Sequence, residues 1–263
     1  MHSELIKYPR TKHITGSMLQ TGDNNLKAVP FKQIMGKYVV LEEKIDGANS
    51  GISFSQSGQL LLQSRGHFLT GGHREKHFHL FKTWSSRYSE ELYKLLGSRY
   101  IMYGEWMYAK HTIFYDQLPH YFMEFDMYDK QEKLFLSTKE RGKMLQSYPF
   151  IHSVKVLYEG KIEKIDTIRN LIGASYFISE KSIKRLKKAC EKQELDFIKV
   201  QSETDLSGIM EGIYIKVEDL YKVSERYKYV RESFKTQIVD SETHWLDRPI
   251  IENQLENPGS LFE

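Results

Sequence analysis

The chain has 263 residues, 40% hydrophobic and 28% charged, with a formal net charge of +3; this is the profile of a globular protein long enough for one large domain or two modest ones. The single cysteine, Cys190, excludes an intramolecular disulfide. With no run near the roughly 20 apolar residues of a membrane helix and no apolar core in the opening MHSELIKYPR, the sequence reads as soluble, intracellular and cytoplasmic. The mild positive excess permits a nucleic-acid partner without requiring one.

Residues up to about Pro30 are polar and weakly patterned. KYVVLEEK (37–44), GISF (51–54) and QLLLQSR (59–65) have strand character. Asp46-Gly47, between the first two, is a short-range hairpin signal, and Ser57-Gly58 marks another turn. GHFLTGGHREKHFH reads as a loop, and from about Arg74 to Leu96 the pattern turns helical, stopping at Gly97. RYIMYGEWMY (99–108) and HYFMEFDMYD (120–129) return to strand character, with a turn at Asp129-Lys130. The intervening AKHTIFYDQLPHYF (109–122) reads as a connecting loop with a local packing role.

A second helical zone is expected from about Thr138 to Gln193, clearest in SEKSIKRLKKACEK. There Ser179 or Ser182 can cap, and Ile183, Leu186 and Cys190 share a face. Its lysines read as a solvated face or as phosphate contacts. EGIYIKVE (211–218) and YKVSERYKYVR (221–231) are strands again. Antiparallel strands with inserted helices make an α+β pattern. The expected organisation is one domain over 1–235, with a helical insertion near 138–205, and a short tail over 236–263 packed on it or extending from it.

The strand segments carry EKIDG, SRG, YGEW, EFD, EGIYIK and RYKYVR in that order. A lysine such as Lys44 attacks phosphorus only when unprotonated, so it needs a lowered pKa from desolvation or nearby positive charge. Carboxylates such as Glu105 and Glu211 can hold a divalent metal against phosphate oxygens. Arg65, Lys216 and Lys228 can neutralise a phosphoryl transition state and a departing pyrophosphate. Phe125 can stack on a base. Each residue taken alone also fits an ordinary strand position, with Lys216 and Lys228 as edge charges.

Together these motifs resemble the covalent nucleotidyltransferase superfamily of polynucleotide ligases and messenger-RNA capping enzymes, most closely its ATP-dependent RNA ligases, over Val39 to Arg231. The resemblance implies a nucleotidyltransferase (ATP-grasp-like ligase) domain of antiparallel sheets with flanking helices and no C-terminal oligonucleotide-binding barrel. It implies that Lys44 accepts AMP from ATP, with Mg2+ or Mn2+. Asp46 would orient the lysine or a metal-bound water, and Gly47 would let the backbone approach the nucleotide. Arg65 would contact the ribose and the strand end, Glu105 the ribose and metal, and Phe125, or else Phe122, the adenine. Glu211 would be the metal-linked acid, with Lys228, Lys216 and Arg226 as the final cations. Arg226 departs from the lysine usual in relatives. Glu43 would accept a hydrogen bond from the adenine amino group.

The implied partners are RNA ends, a 5′-phosphate and a 3′-hydroxyl, with duplex or hybrid nicks included. A DNA or hybrid nick ligase shares the chemistry. DNA ligases and capping enzymes, however, generally carry a barrel after the last motif, and about 30 residues follow Arg231. A non-catalytic nucleotide- or RNA-binding module is the reading from another class. His67, His73, His77 and His79 read as a solvated loop or helix start, or as polynucleotide contacts; no cysteine assists a zinc site and the spacing matches no ligand pattern.

Overall fold

A computed structural model describes residues 4–19, 28–234 and 249–262. In chain order the elements are β1 (Lys12–His13), β2 (Tyr38–Lys44), β3 (Ala48–Phe54), β4 (Leu60–Ser64), α1 (His79–Arg87), α2 (Ser89–Leu96), β5 (Tyr100–Trp106), β6 (Phe122–Asp129) and β7 (Leu134–Leu136). There follow α3 (Thr138–Leu145), β8 (His152–Ser153), β9 (Val156–Lys161), α4 (Asp166–Arg169), α5 (Ser182–Lys192), α6 (Phe197–Ser202), β10 (Gly212–Glu218) and β11 (Lys222–Val230).

The strands join in one open, mostly antiparallel sheet ordered β4-β3-β5-β6-β7-β11-β10-β2-β9, with β1 on β11 and β8 on β6 as parallel pairs. The short β7 links two four-stranded halves. On one half, Phe81 and Trp84 of α1 and Leu92, Leu95 and Leu96 of α2 bury against Ile52, Met102, Phe122 and Met127. On the other, Val39 and Leu41 of β2 pack with Ile213, Ile215 and Ile168. In β10, Ile213, Ile215 and Val217 take the core face while Lys216 and Glu218 take the other, the period-two pattern of a sheet with two different faces. No closed barrel occurs among the described residues.

Three local expectations change. First, Asp46-Gly47 is not a hairpin: β2 pairs with β10 and β9, whereas β3 pairs with β4 and β5. The turn therefore carries the chain from one half-sheet to the other. Gly47 lacks the positive φ of a tight hairpin turn. Its glycine is required by packing, because a Cβ there would lie 2.6 Å from Met107 Sδ and 2.9 Å from the Trp106 carbonyl.

Second, the expected helical zone contains two strands, β8 and β9, the latter forming the sheet edge beside β2. Pairing with an existing strand overrode a segment of weak intrinsic preference. Third, neither serine caps α5: Lys181 stands at its N-cap position without a side-chain bond. The Ser179 hydroxyl donates instead to Asp116 Oδ2 at 2.5 Å.

The helix over the first turn-rich segment also breaks, at Tyr88 between α1 and α2. Gly97 ends α2 with φ 49°, a conformation that favours glycine. Of the tail, 235–248 lie outside the described residues. Ile251, Leu255 and Leu261 are buried, and Glu252 and Leu255 bridge to Ala109 and Leu118.

Candidate active site

Lys44 ends β2 on the strand face that turns toward the opposite half-sheet. Its neighbour across the ladder is Gly212, the first residue of β10, so Glu211 arrives beside it. Lys44 Nζ donates to Glu211 Oε2 at 2.6 Å, with the lysine one-fifth exposed and the glutamate fully buried. Burial presses the lysine pKa down, but Glu211, Asp46 and Glu105 more than reverse this, and Lys44 is held above its ordinary value. The lowered pKa expected for an attacking lysine is therefore absent from the resting site, because three carboxylates surround the ammonium.

Two of those carboxylates, Glu105 and Glu211, are themselves drawn toward neutrality. Burial raises Glu105 to about 8, opposed by Lys44 and reinforced by Asp46 and Glu211. Burial likewise raises Glu211, against the pull of Lys44 and Lys228. Lys228 is buried on β11 opposite Tyr214, and acts on Glu211 through its charge. Arg65, exposed just beyond β4, acts in the same way on Glu105.

Asp46 is held by the loop over 109–122. Its Oδ2 accepts from the Thr112 and Ile113 amides at 2.7 and 3.2 Å, and its own amide donates to the Tyr115 hydroxyl at 2.9 Å. His111 Nδ1 lies 3.9 Å from Asp46 Oδ1. The loop read as local packing is thus the clamp of the lysine motif. The buried Asn253 of the tail fixes that clamp in turn. Its Oδ1 accepts from the Tyr115 amide at 2.9 Å and its Nδ2 donates to the Met107 carbonyl at 2.7 Å.

The remaining expected residues form a second, deeper network on the same sheet face. Lys216 Nζ lies 2.9 Å from Glu42 Oε2 and 3.6 Å from Asp126 Oδ1, and also donates to the Phe125 carbonyl. Arg226 Nε donates to Asp126 Oδ2 at 2.9 Å, and its guanidinium lies 3.7 Å from the centre of the Phe135 ring. Burial opposes ionisation of Asp126, yet Arg226 and Lys216 draw its pKa down to about 2. Arg141 of α3 reaches Glu42 at 2.8 Å and Glu124 at 3.3 Å.

Phe125 is half-buried, its ring 5.1 Å from Tyr8 and 6.4 Å from Tyr214. Phe122 is fully buried among Phe81 and Trp84, with no face left for a ligand.

Glu43 is the exception among the expected residues. It points to the other side of β2, accepting from Ser175 Oγ at 2.6 Å and the Tyr176 amide at 3.2 Å. Burial raises it to about 7 despite those bonds. Glu42, two residues before Lys44, is the acid that shares its face. The alternation of a strand puts the two glutamates on opposite sides. Tyr8, Tyr115, Arg141 and Asn253 carry no motif and were not identifiable from sequence.

The histidines separate: His67 bonds Ser64, His77 is buried with its carbonyl accepting from Trp106 Nε1, and His79 opens α1 on the surface. Among the described residues, no three His, Cys, Asp or Glu side chains are grouped as a metal cage. The all-oxygen pair Glu105 and Glu211 instead suits a hard divalent cation that keeps waters and binds through one or two carboxylates plus substrate phosphates. No helix among the described residues is long and apolar enough to cross a membrane.

A lysine closing an inner strand, met by a buried carboxylate at the neighbouring strand and acted on by one from the opposite half-sheet, sits on the open antiparallel sheet of a nucleotidyltransferase-type fold. The chain belongs to the RNA ligase family, whose model matches residues 37–235. A search of curated proteins returned no match.

Among solved structures it resembles a Naegleria gruberi RNA ligase. A mutant of that protein with ATP and Mn gives a TM-score of 0.51 at 12% identity, covering 87% of this chain and 58% of that one. The form with PPi gives 0.50 at 14%, covering 87% and 61%. An archaeal ATP-dependent RNA ligase gives 0.48 at 15%, covering 86% and 48%. The chain thus spans about three-fifths of the Naegleria protein it matches, and at these identities the likeness is one of fold.

Proposed function

We propose that this protein is an ATP-dependent RNA ligase that joins a 5′-phosphate to a 3′-hydroxyl through lysine-bound AMP. The observation that carries the reading is Lys44, one-fifth exposed at the end of β2, bonded to buried Glu211 and under the charge of Glu105 and Asp46. That is a nucleophile candidate with its acids in place, in a chain of the RNA ligase family.

In the first step the Lys44 nitrogen attacks the α-phosphorus of ATP. The N–P bond forms as the bond to pyrophosphate breaks, and the amine loses a proton. In the second, the 5′-phosphate of RNA attacks the same phosphorus, taking AMP and releasing Lys44. In the third, the 3′-hydroxyl attacks the 5′-phosphorus, a phosphodiester forms and AMP leaves. Glu211 and Glu105 are the residues that would hold Mg2+ or Mn2+. When bound, such a cation would supply positive charge for the phosphate oxygens of the nucleotide.

Lys44 rests as an ammonium under the charge of Glu211, Asp46 and Glu105, so it must give up a proton before it attacks. Asp46, fixed by the Thr112 and Ile113 amides, holds the turn and hence the lysine in place. Lys228 and Arg65 supply positive charge to a phosphoryl group at the acids. Lys216 and Arg226 fix Asp126 and the strand that carries Phe125, whose ring serves the base.

The test is incubation of nucleotide-free protein with ATP or GTP and Mg2+ or Mn2+, followed by intact-mass analysis. An AMP adduct is expected, lost in Lys44→Ala. Absence of any adduct overturns the reading and favours a non-catalytic binding module, and a GMP-only adduct points to capping chemistry. Nicked RNA, DNA and hybrid duplexes then rank the substrates.

A further inference from the structure

One helix of this chain carries a dense run of positive charge. Residues 181–192 hold six cations (Lys181, Lys184, Arg185, Lys187, Lys188 and Lys192) against one carboxylate, Glu191. That segment is net +5 in a chain of net +3, so the remainder is net negative. At 3.6 residues per turn, Lys181, Lys184, Lys188 and Lys192 fall on one stripe about 16 Å long, opposite the buried Leu186 and Cys190. All four lysines are exposed. Glu191, at the edge of the stripe, lies 4.0 Å from Lys187, and Glu180 and Glu194 flank the two ends.

The helix is rigidly referenced to the lysine motif. Leu186 and Cys190 bury against Phe114 and Ile251. Asp116 accepts from Ser179 Oγ and its carbonyl accepts from Arg185 Nη1 at 2.7 Å. The preceding residue, Tyr115, accepts from the Asp46 amide. Two consecutive residues therefore tie α5 to the turn after Lys44. The same inserted segment presents Tyr176, 57% exposed, whose amide bonds Glu43 and whose ring lies 5.3 Å from Lys155 Nζ.

We propose that the RNA substrate docks on the α5 lysine stripe, the lysines meeting phosphates, and that Tyr176 of the same inserted segment stacks on one of its bases. Charge complementarity selects a polyanion, and an exposed aromatic beside Lys155 selects one with unstacked bases. The proposal rests on the ligase reading and names where its substrate is held away from the reacting atoms.

Binding of a dye-labelled nicked RNA duplex with a single-stranded overhang is measured against KCl concentration. For wild type, log affinity falls linearly with log salt. In K184E/K188E/K192E the slope falls by about 2–3 and the low-salt affinity drops by more than tenfold. The neutral set K184Q/K188Q/K192Q, matched to wild type in thermal midpoint, gives the smaller loss if the reversal disturbs folding. Y176A weakens binding about tenfold without changing the slope. An unchanged slope in both lysine sets overturns the proposal and assigns the stripe to solvent or to an acidic protein. An AMP adduct from wild type and ATP alone separates this failure from failure of the ligase reading.

Discussion

Lys44 Nζ lies 2.6 Å from Glu211 Oε2, and this ion pair holds the lysine in the one protonation state that cannot attack phosphorus. Because Glu211 raises the Lys44 pKa, Glu211→Gln moves the pH at which Lys44 becomes reactive downward. The expected result, without nucleotide or metal, is faster modification of Lys44 by a small amine reagent near neutral pH, read by peptide mass. AMP transfer from ATP is expected to fall in the same variant, since one of the two acids proposed to hold the metal is gone. An unchanged reactivity profile shows that the pair does not control the lysine.

Glu43 gives a pH signature of folding. Its folded pKa of about 7 lies above the unfolded carboxylate range. The contribution is therefore full below the unfolded value near about 4.3 and is lost as pH rises through about 7. Glu43→Gln is expected to flatten the dependence of thermal midpoint on pH between those limits. At pH 8 the variant is expected to be at least as stable as wild type. A parallel pair of curves sinks this assignment.

Arg141 is buried between Glu42 and Glu124. Arg141→Leu leaves two buried carboxylates facing each other and costs about 3–5 kcal/mol, the range for breaking a buried ion pair. Urea unfolding measures it. Glu42→Gln with Glu124→Gln in the same chain recovers part of the loss, which would not happen if Arg141 acted by packing volume alone.

Asn253 lies beyond the region that matches the family and still holds the clamp on Asp46. Asn253→Ala removes the acceptor for Tyr115 and the donor for Met107, with an expected destabilisation of about 1–3 kcal/mol for the orphaned buried partners. The rate of AMP-adduct formation at saturating ATP is expected to fall about tenfold at temperatures where the variant is fully folded. Asn253→Asp, which keeps the acceptor, recovers less of the rate than of the stability. An adduct rate equal to wild type confines Asn253 to a structural role.

Much of this was readable locally. Alternating apolar residues located the six longer strands, and the order of charged residues along them marked Lys44, Glu105 and Glu211. The hairpin expectation fails for one reason: Asp46-Gly47 has hairpin chemistry, but its flanking strands find partners elsewhere. Glu43 and Glu42 are adjacent on β2 and face opposite ways, so Glu42 is the acid on the lysine side.

Side-chain identity and period were fixed along the chain. Which half-sheet each strand joined, and hence what met Lys44, came from pairings remote in sequence. Glu211 lies 167 positions from Lys44, and Asn253 reaches Tyr115 across 138. Such contacts depend on backbone hydrogen bonding and burial summed over the whole sheet, which no local pattern encodes. The same separation explains the lysine's charge. Its raised pKa owes most to Glu211, delivered by another strand, while EKIDG read alone fitted an ordinary charged strand residue before a turn.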